Sequence, residues 1–200
     1  MSVKKGLLIV VSAPSGAGKT TLCSRLFKAM PNVHFSVSCT TRAPRAGEIN
    51  GKDYNFVAEA GFKRMIKQNA FAEWAVVHGH YYGTPRKHLL KAVNSGIDVV
   101  LDIDVQGGLA IKNMFPDALM IYIMAPTMAE LKRRLRARGK DSADVIALRI
   151  KNARKELKCL QKYNYLVIND NISMAAADLI AVVRAEHCRI NRLMPSEIKF

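Results

Sequence analysis

Apolar runs alternate with amphipathic stretches along this chain, and the alternation predicts its fold class. Four of the runs are continuous and rich in large aliphatic residues, which is typical of strands buried on both faces. These predicted strands are Gly6–Ser12, Ile97–Asp104, Ala118–Ala125 and Tyr165–Asn169. Their composition is that of a parallel sheet inside a covered core.

Helical periodicity fills most of the chain between and after these runs. Apolar residues recur there at intervals of three and four, as on the buried face of a helix. The predicted helices are about Gly18–Met30, Val105–Met114, Thr127–Arg138, about Ala143–Leu160 and about Met174–Leu193. Because strands alternate with helices, we expect an α/β fold in which a parallel sheet is flanked by helices on both faces.

Two stretches interrupt this rhythm. Residues 34–84 contain several short strand-like runs around the turn-rich segment Arg42–Tyr54, which predicts a small inserted subdomain of mixed strands. Arg138–Asp144 is polar and contains glycine, which predicts a short lid at about residues 138–145 between two helices. The expected organisation is a single domain, with a core of residues 1–33 and 85–200 and the insertion at 34–84.

The first predicted strand runs into the glycine-rich loop Ala13–Thr20, which reads APSGAGKT. This is the phosphate-loop pattern GxxxxGK[ST], with Ala13 in place of the first glycine. Gly16 and Gly18 allow positive φ, and they let backbone N–H groups approach phosphate oxygens. A small residue such as Ala13 is compatible with the pattern if its φ is negative.

The end of the loop supplies the side-chain chemistry. Lys19 is expected to reach the β- and γ-phosphates, and the Thr20 hydroxyl is expected to bind Mg²⁺. The helix that begins there adds its positive end. A strand, this loop and a helix therefore predict binding of a nucleoside triphosphate, but GTPases, ATP-driven motors and small-molecule kinases all share the arrangement.

Charge and cysteine usage narrow the partners and the compartment. The chain has 31 Lys and Arg against 16 Asp and Glu, a net charge of +15, which indicates an anionic partner such as nucleotide, nucleic acid or lipid. No RNA-binding signature, recognition helix or aromatic stacking patch appears, so nucleic acid is not the expected partner. No run approaches the roughly 20 apolar residues of a membrane span, so membrane association is not expected. The four isolated cysteines indicate free thiols and a cytoplasmic location.

The segment Ser36–Phe56 decides between the phosphate-loop classes. It reads SVSCTTRAPRAGEINGKDYNF, and with the phosphate loop it resembles the guanylate kinase family. Glu73–Thr84, Leu101–Gly107 and the arginine-rich stretch Arg134–Arg149 follow in that family's order and spacing. The resemblance, which spans about Leu7 to Asp170, implies a phosphate-loop core with a GMP-binding flap and a helical lid. It also implies transfer of a phosphoryl group from ATP, with Mg²⁺, to GMP.

Two arginines in this segment fit a monophosphate. Arg42 and Arg45 lie three residues apart around Pro44, and arginine forks bind phosphate oxygens in pairs. Tyrosine hydroxyls are suitable additional donors. The resemblance implies that the GMP phosphate is held by Arg42, Arg45, Tyr54 and Tyr82.

Glu73 fits the guanine base. It lies in the apolar run FAEWAVV, where a carboxylate needs a partner. Guanine offers adjacent N1–H and N2–H donors, which adenine lacks, so a buried carboxylate would select guanine. The resemblance adds contacts to the base from Ser38, Thr84 and Asp104.

Asp102 and Asp104 end the second predicted strand. Residues two apart in a strand face the same side, so both carboxylates are expected to line one cleft. A carboxylate at the end of a strand beside a phosphate loop commonly holds Mg²⁺ or orients the loop hydroxyl. We therefore predict Thr20 and Asp102 as the metal residues.

Arginines beyond the second strand fit the transferred phosphoryl group. Arg134 and Arg138 lie four apart on one predicted helix face, where like charges repel unless an anion lies between them. The resemblance implies that the catalytic residues are Lys19, Arg42, Arg134, Arg138 and Arg149. It implies the following ATP-binding residues, with Asn169 at the adenine: Ala13, Pro14, Ser15, Gly16, Ala17, Gly18, Lys19, Thr20, Thr21 and Asn169.

Two alternatives stay open at this point. A kinase for another nucleoside monophosphate would share the core, although Glu73 favours GMP. A guanylate-kinase-like protein-binding module without catalysis would share the fold, although the chain keeps Lys19, Arg42 and Asp102. The sequence does not predict the oligomeric state.

Overall fold

The computed structural model describes residues 5–77, 79–139 and 141–192. The strands in these ranges are β1 Leu8–Ser12, β2 Val33–Phe35, β3 Cys39–Thr40, β4 Asn55–Phe56, β5 Phe71–Val77, β6 His80–Pro85, β7 Asp98–Asp102, β8 Leu119–Met124 and β9 Tyr165–Ile168. The helices are α1 Lys19–Ala29, α2 Glu59–Lys67, α3 Arg86–Asn94, α4 Val105–Met114, α5 Met128–Ala137, α6 Ala143–Glu156 and α7 Ile172–His187. Short 3₁₀ turns follow at Leu157–Lys162 and Ile190–Arg192.

A parallel five-stranded sheet in the order β2-β7-β1-β8-β9 forms the centre of the protein. Every residue of β1 is buried, because successive side chains point into different apolar clusters. Ile9 and Val11 pack in a cluster with residues of α1, α5, α6 and α7. Leu8 and Val10 pack on the other face, with residues of α3 and α4. The predicted α/β class, with helices on both faces, is confirmed.

A smaller mixed sheet, in the order β4-β3-β6-β5, forms the insertion. Helix α2 covers it through Phe62, whose ring stacks on that of Phe71 with centroids 4.4 Å apart. The boundary predicted at residue 34 falls inside β2, and that strand belongs to the central sheet because it pairs in parallel with β7. The insertion therefore begins after Phe35.

The second predicted strand is shorter than expected. Strand β7 ends at Asp102, and Asp104 caps α4 by accepting a 2.8 Å hydrogen bond from the Gly107 N–H. The expectation that Asp102 and Asp104 lie two apart in one strand was therefore wrong. The chain leaves the sheet after Asp102 because a helix cap requires Asp104 at the turn.

Helix ends also differ from the pattern. Helix α6 gives way to a 3₁₀ turn after Glu156, and α7 begins two residues earlier than predicted because the Asn171 side chain caps it. Leu193, the predicted end of the last helix, lies outside the described residues. In the described ranges, no helix combines the length and apolar character needed to cross a membrane.

Candidate active site

The phosphate loop joins β1 to α1 at the carboxyl edge of the central sheet. Gly16 and Gly18 have φ of 95° and 94°, and Gly18 caps α1 in the left-handed conformation. Asn69 is the one non-glycine residue of the described ranges with positive φ. Ala13 therefore meets the condition under which it can replace the first glycine of the pattern.

Lys19, near the end of the phosphate loop, is held by two contacts. Its ammonium group pairs with the Asp102 carboxylate and donates to the Ile103 carbonyl at 3.5 Å. Both side chains of the pair are partly exposed. The lysine predicted for phosphates thus pairs with the carboxylate predicted for Mg²⁺.

A cavity of about 250 Å³ opens on one side of the phosphate loop, between the central sheet and the insertion. It is lined by Ala13, Lys19, Ser38, Tyr54, Glu73, Val77, Tyr82, Asp102, Ile103 and Asp104. Five of the eight residues predicted for GMP are in this lining. Arg42, Arg45 and Thr84 are not, although Arg42 and Thr84 contact lining residues.

Glu73 is buried at the wall of this cavity. The Thr84 hydroxyl donates to its Oε1 at 2.6 Å, and both side chains are buried. Burial raises the pKa of Glu73 to about 6; the charge of Asp104 adds to the rise, and the Thr84 hydroxyl opposes it. Gly107 lies against the other oxygen, where a methyl group would come within 2.8 Å of Oε2.

Arg42 lies beside the two tyrosines of this lining. Its Nε donates to the Tyr82 hydroxyl at 3.2 Å, and its guanidinium lies 5.5 Å from the Tyr54 ring centroid. One terminal nitrogen donates to both oxygens of Glu48, at 2.8 and 3.0 Å. Glu48 also accepts from the Arg45 N–H at 2.7 Å.

A larger cavity, of about 620 Å³, opens on the other side of the phosphate loop. Its lining contains Gly16, Gly18, Thr21, Arg133, Arg134, Ala137, Arg138, Asn169, Asp170, Asn171 and Ile172. Asn169 is buried, and its side-chain nitrogen donates to the Ala17 carbonyl at 2.7 Å. It therefore ties the phosphate loop to the end of β9.

Two of the predicted catalytic arginines have carboxylate partners around this cavity. Arg134 donates to Glu130 at 2.7 Å, and Glu130 is also bound by Arg133, so the two arginines lower the pKa of Glu130 to about 2. Arg149 donates to the Ser15 hydroxyl at 3.0 Å and to Asp141 at 3.2 Å. Arg149 thereby links the predicted lid to the phosphate loop.

Comparison with known proteins shows the family of this chain. The family model for guanylate kinase matches residues 5–186. The chain belongs to the guanylate kinase family. It is 50% identical over 193 residues to a guanylate kinase of Caldanaerobacter subterraneus subsp. tengcongensis, which covers 96% of this chain and 94% of that protein. A guanylate kinase of Halalkalibacterium halodurans is 43% identical over 97% of this chain and 95% of its own length.

A solved structure extends the similarity to the fold. The crystal structure of guanylate kinase from Anaplasma phagocytophilum superposes with a TM-score of 0.80 at 33% identity, and the match covers 98% of this chain and 93% of that one. The guanylate kinase resemblance stated from the sequence is therefore confirmed.

Three carboxylates of this guanylate kinase family member were missed by sequence reasoning. Glu48, Glu130 and Asp141 each bind an arginine that the sequence singled out. Glu130 lies four residues before Arg134 on one helix, and that spacing was a usable signal. Glu48 and Asp141 lie in loops, where spacing does not fix which side chains meet.

Proposed function

We propose that this chain transfers the γ-phosphoryl group of ATP to GMP, giving ADP and GDP. The observation that carries the proposal is that one phosphate loop borders two cavities: Gly16 and Gly18 line the larger, and Ala13 and Lys19 line the smaller. Two nucleotides bound there would meet at the loop. Membership of the guanylate kinase family supports the same reaction.

The smaller cavity fits GMP, with the base at Glu73. Above pH 6 the Glu73 carboxylate is ionised and accepts hydrogen bonds, and guanine N1–H and N2–H are the donors that suit it. Adenine would leave the buried acid unpaired, which is heavily penalised. Asp104 and Ser38, in the same lining, are the proposed further contacts to the base, and Thr84 acts by fixing Glu73.

The tyrosine end of the cavity fits the GMP phosphate. Burial is the main cause that raises the pKa of Tyr54, so its hydroxyl keeps a proton to donate. The Tyr82 hydroxyl accepts from Arg42, which leaves its own proton for an anion. We assign the phosphate to these hydroxyls together with Arg42 and Arg45.

The larger cavity fits ATP, with Arg134 and Arg138 facing the phosphates and Asn169 near the base. In the proposed transfer, a GMP phosphate oxygen forms a bond to the γ-phosphorus while the bond from that phosphorus to the β–γ bridging oxygen breaks. Lys19 and Arg149 flank the loop where this exchange occurs, and their charges stabilise the charge that spreads over the transferred group. No side chain needs to accept a proton, because the GMP oxygen is already ionised.

Thr20 and Asp102 fit a magnesium ion that arrives with ATP. Mg²⁺ favours hard oxygen ligands and uses one or two protein groups together with phosphates, and these residues supply a hydroxyl and a carboxylate on either side of Lys19. When bound, the ion neutralises phosphate charge and orients the γ-phosphoryl group. The proposed flap is residues 36–84, and the proposed lid is residues 138–145. The cytoplasmic location stays a prediction.

A coupled assay of ADP release tests the function directly. Wild-type protein is given ATP with GMP, AMP, dTMP or CMP in turn. We expect kcat/KM with GMP to exceed that with the other three by at least about 10⁴-fold, the range for a site built to bind hydrogen-bond donors of one substrate. Equal rates with AMP would remove the guanine assignment, and no turnover with any acceptor would favour the non-catalytic binding module.

A further inference from the structure

Glu48 holds the guanidinium of Arg42 at a terminal nitrogen, and Tyr82 contacts the same guanidinium at Nε. Each nitrogen of Arg42 has a protein acceptor: Nε donates to Tyr82, one terminal nitrogen donates to the Ala43 carbonyl at 2.7 Å, and the other donates to Glu48. The Arg42 side chain is only 12% exposed, and that of Glu48 is 20% exposed. These three contacts hold the Arg42 side chain in one rotamer.

The same carboxylate also shapes the loop that carries the second arginine. The Arg45 N–H donates to Glu48 Oε2 at 2.7 Å, and the Glu48 N–H donates back to the Arg45 carbonyl at 3.1 Å. Gly47 supplies the positive φ, of 86°, that this tight turn requires. One side chain therefore fixes the guanidinium of Arg42 and the backbone of Arg45 together.

Glu48 lies outside the described lining of the smaller cavity and contacts an arginine that touches that lining. Tyr54 and Tyr82 line the smaller cavity, and Arg42 contacts both of them. The lining described for that cavity does not include Glu48, which meets Arg42 at a different nitrogen from Tyr82. A carboxylate in the cavity itself would repel a phosphate, whereas one outside the lining can hold the guanidinium in place.

We propose that Glu48 is the positioning residue of the GMP phosphate site, acting on the phosphate through Arg42 and the Arg45 turn. The inference rests on the proposed function and deepens it. The bonds from Arg42 and from the Arg45 N–H lower the pKa of Glu48, which therefore stays ionised at neutral pH. Without the carboxylate, Arg42 would spread over several rotamers, and bound phosphate would have to order it again.

The alternative role for Glu48 is competition with the phosphate for Arg42, and it predicts the opposite result. If Glu48 mainly occupied Arg42 in place of the phosphate, its removal would tighten GMP binding. Two features argue for positioning. Arg42 keeps at least one N–H on the nitrogen that faces Ala43, and the tyrosine hydroxyls remain free to donate. Repulsion from a partly exposed carboxylate is also screened by solvent and salt.

The test compares Glu48→Gln and Glu48→Asp with wild-type protein. Glu59→Gln is the matched control, because Glu59 pairs with Lys63 on the exposed face of α2. We expect Glu48→Gln to raise the KM for GMP roughly 10- to 100-fold, as for a lost charged hydrogen bond, while the KM for ATP stays within about twofold. Glu48→Asp, which keeps the charge on a shorter side chain, should recover part of the loss, and Glu59→Gln should match wild type.

Guanosine, used as a competitive inhibitor, separates positioning from general damage to the insertion. It carries the base without the phosphate, so its inhibition constant should be the same in Glu48→Gln as in wild type. A tighter KM for GMP in Glu48→Gln, an unchanged one, or an equal loss for guanosine would each overturn the inference. If Glu48→Gln does not fold, the Glu48→Asp values for GMP and guanosine decide in the same way. Failure of wild type to phosphorylate GMP is a separate result, which would overturn the proposed function.

Discussion

At the scale of single residues, four cations of the proposed phosphate sites are paired with carboxylates. Lys19 pairs with Asp102, and Arg42 pairs with Glu48. The arginines near the larger cavity follow the same rule, with Glu130 and Asp141 as partners. Such pairing keeps neighbouring cations from repelling one another and fixes their side chains. Each partner must then be shared or exchanged when phosphates bind.

The raised pKa of Glu73 predicts that activity with GMP depends on pH. Its pKa of about 6 lies above the ordinary value of 4.5, so below pH 6 the acid takes up a proton and loses an acceptor for guanine. We expect kcat/KM for GMP in wild type, divided by that in Glu73→Gln, to fall about tenfold per pH unit below pH 6. The variant corrects for the second ionisation of the GMP phosphate, which titrates near pH 6 in both assays. A ratio that does not change between pH 5 and pH 8 would contradict the role of Glu73.

The same pKa makes a prediction about stability. Between pH 4.5 and pH 6 the folded state holds the Glu73 proton more tightly than the unfolded state does, so wild-type stability falls as the pH rises through this window. Glu73→Gln lacks this titration. The free energy of unfolding of wild type, relative to that of the variant, should therefore fall by about 2 kcal/mol as the pH rises from 4.5 to above 6. Urea unfolding at several pH values measures the difference.

Some residues of this site could be predicted from sequence patterns. Glu73 was predictable because a carboxylate inside an apolar strand needs a chemical reason, and the loop Ala13–Thr20 carries its own pattern. The partner of Thr84 was not predictable, because its bond to Glu73 joins two strands whose register depends on the whole insertion. The contact of Glu48 with Arg42 was not predictable for a related reason: a turn, rather than a periodic spacing, brings the two side chains together.

At the scale of elements, close packing between α4 and β5 shapes the base site. Gly107 lies in the first turn of α4 and contacts Glu73, and a methyl group there would also lie 3.3 Å from Asp104 Oδ1. A side chain at this position would therefore force the Glu73 carboxylate to shift. The acid proposed to bind guanine lies between a helix glycine and a strand hydroxyl.

Gly107→Ala tests this contact. Alanine favours a helix by up to about 1 kcal/mol, but here its methyl group displaces the Glu73 carboxylate, so kcat/KM for GMP should fall at least about tenfold. Gly61→Ala on α2 is the matched control, because its methyl group would meet no atom within 4 Å. That variant should be slightly more stable and equally active. Equal activity of both variants would show that the approach of α4 does not matter.

Short strands were the elements that the sequence pattern could not predict. The long buried strands of the core were predictable as continuous apolar runs, and its helices as periodic ones. Strands β3 and β4 have two residues each, and β2 has three, so none of them contains a full alternation. Their pairing partners are distant in sequence, and tertiary contacts place β2 in the central sheet and β3 and β4 in the insertion.

At the scale of the whole molecule, the two ends of the central sheet have different tasks. The carboxyl edge carries the phosphate loop and Asp102, whereas the amino end of β7 carries Asp98. Asp98 is buried, accepts from the Leu7 N–H at 2.7 Å, and bonds His187 of α7 at 2.6 Å. This contact fastens the last described helix to the sheet, about 13 Å along the strand from Asp102.

Asp98→Ala separates stability from function. The change leaves the Leu7 N–H buried without its acceptor and His187 without its partner, so the free energy of unfolding should fall by about 3 kcal/mol. The KM values for ATP and GMP should not change, because the contact lies at the end of the sheet away from the phosphate loop. Denaturant unfolding and steady-state kinetics check the two parts, and a changed KM would link this end of the molecule to the site.

Binding of a single ligand that spans both cavities tests the central claim most directly. The ligand is an adenosine and a guanosine joined by a chain of phosphates, titrated calorimetrically into wild-type protein with and without each substrate. We expect one molecule to bind per chain, at least about 100-fold more tightly than ATP or GMP alone, and to be displaced by either. Binding no tighter than that of ATP, and indifferent to GMP, would contradict a phosphate loop shared by two nucleotides.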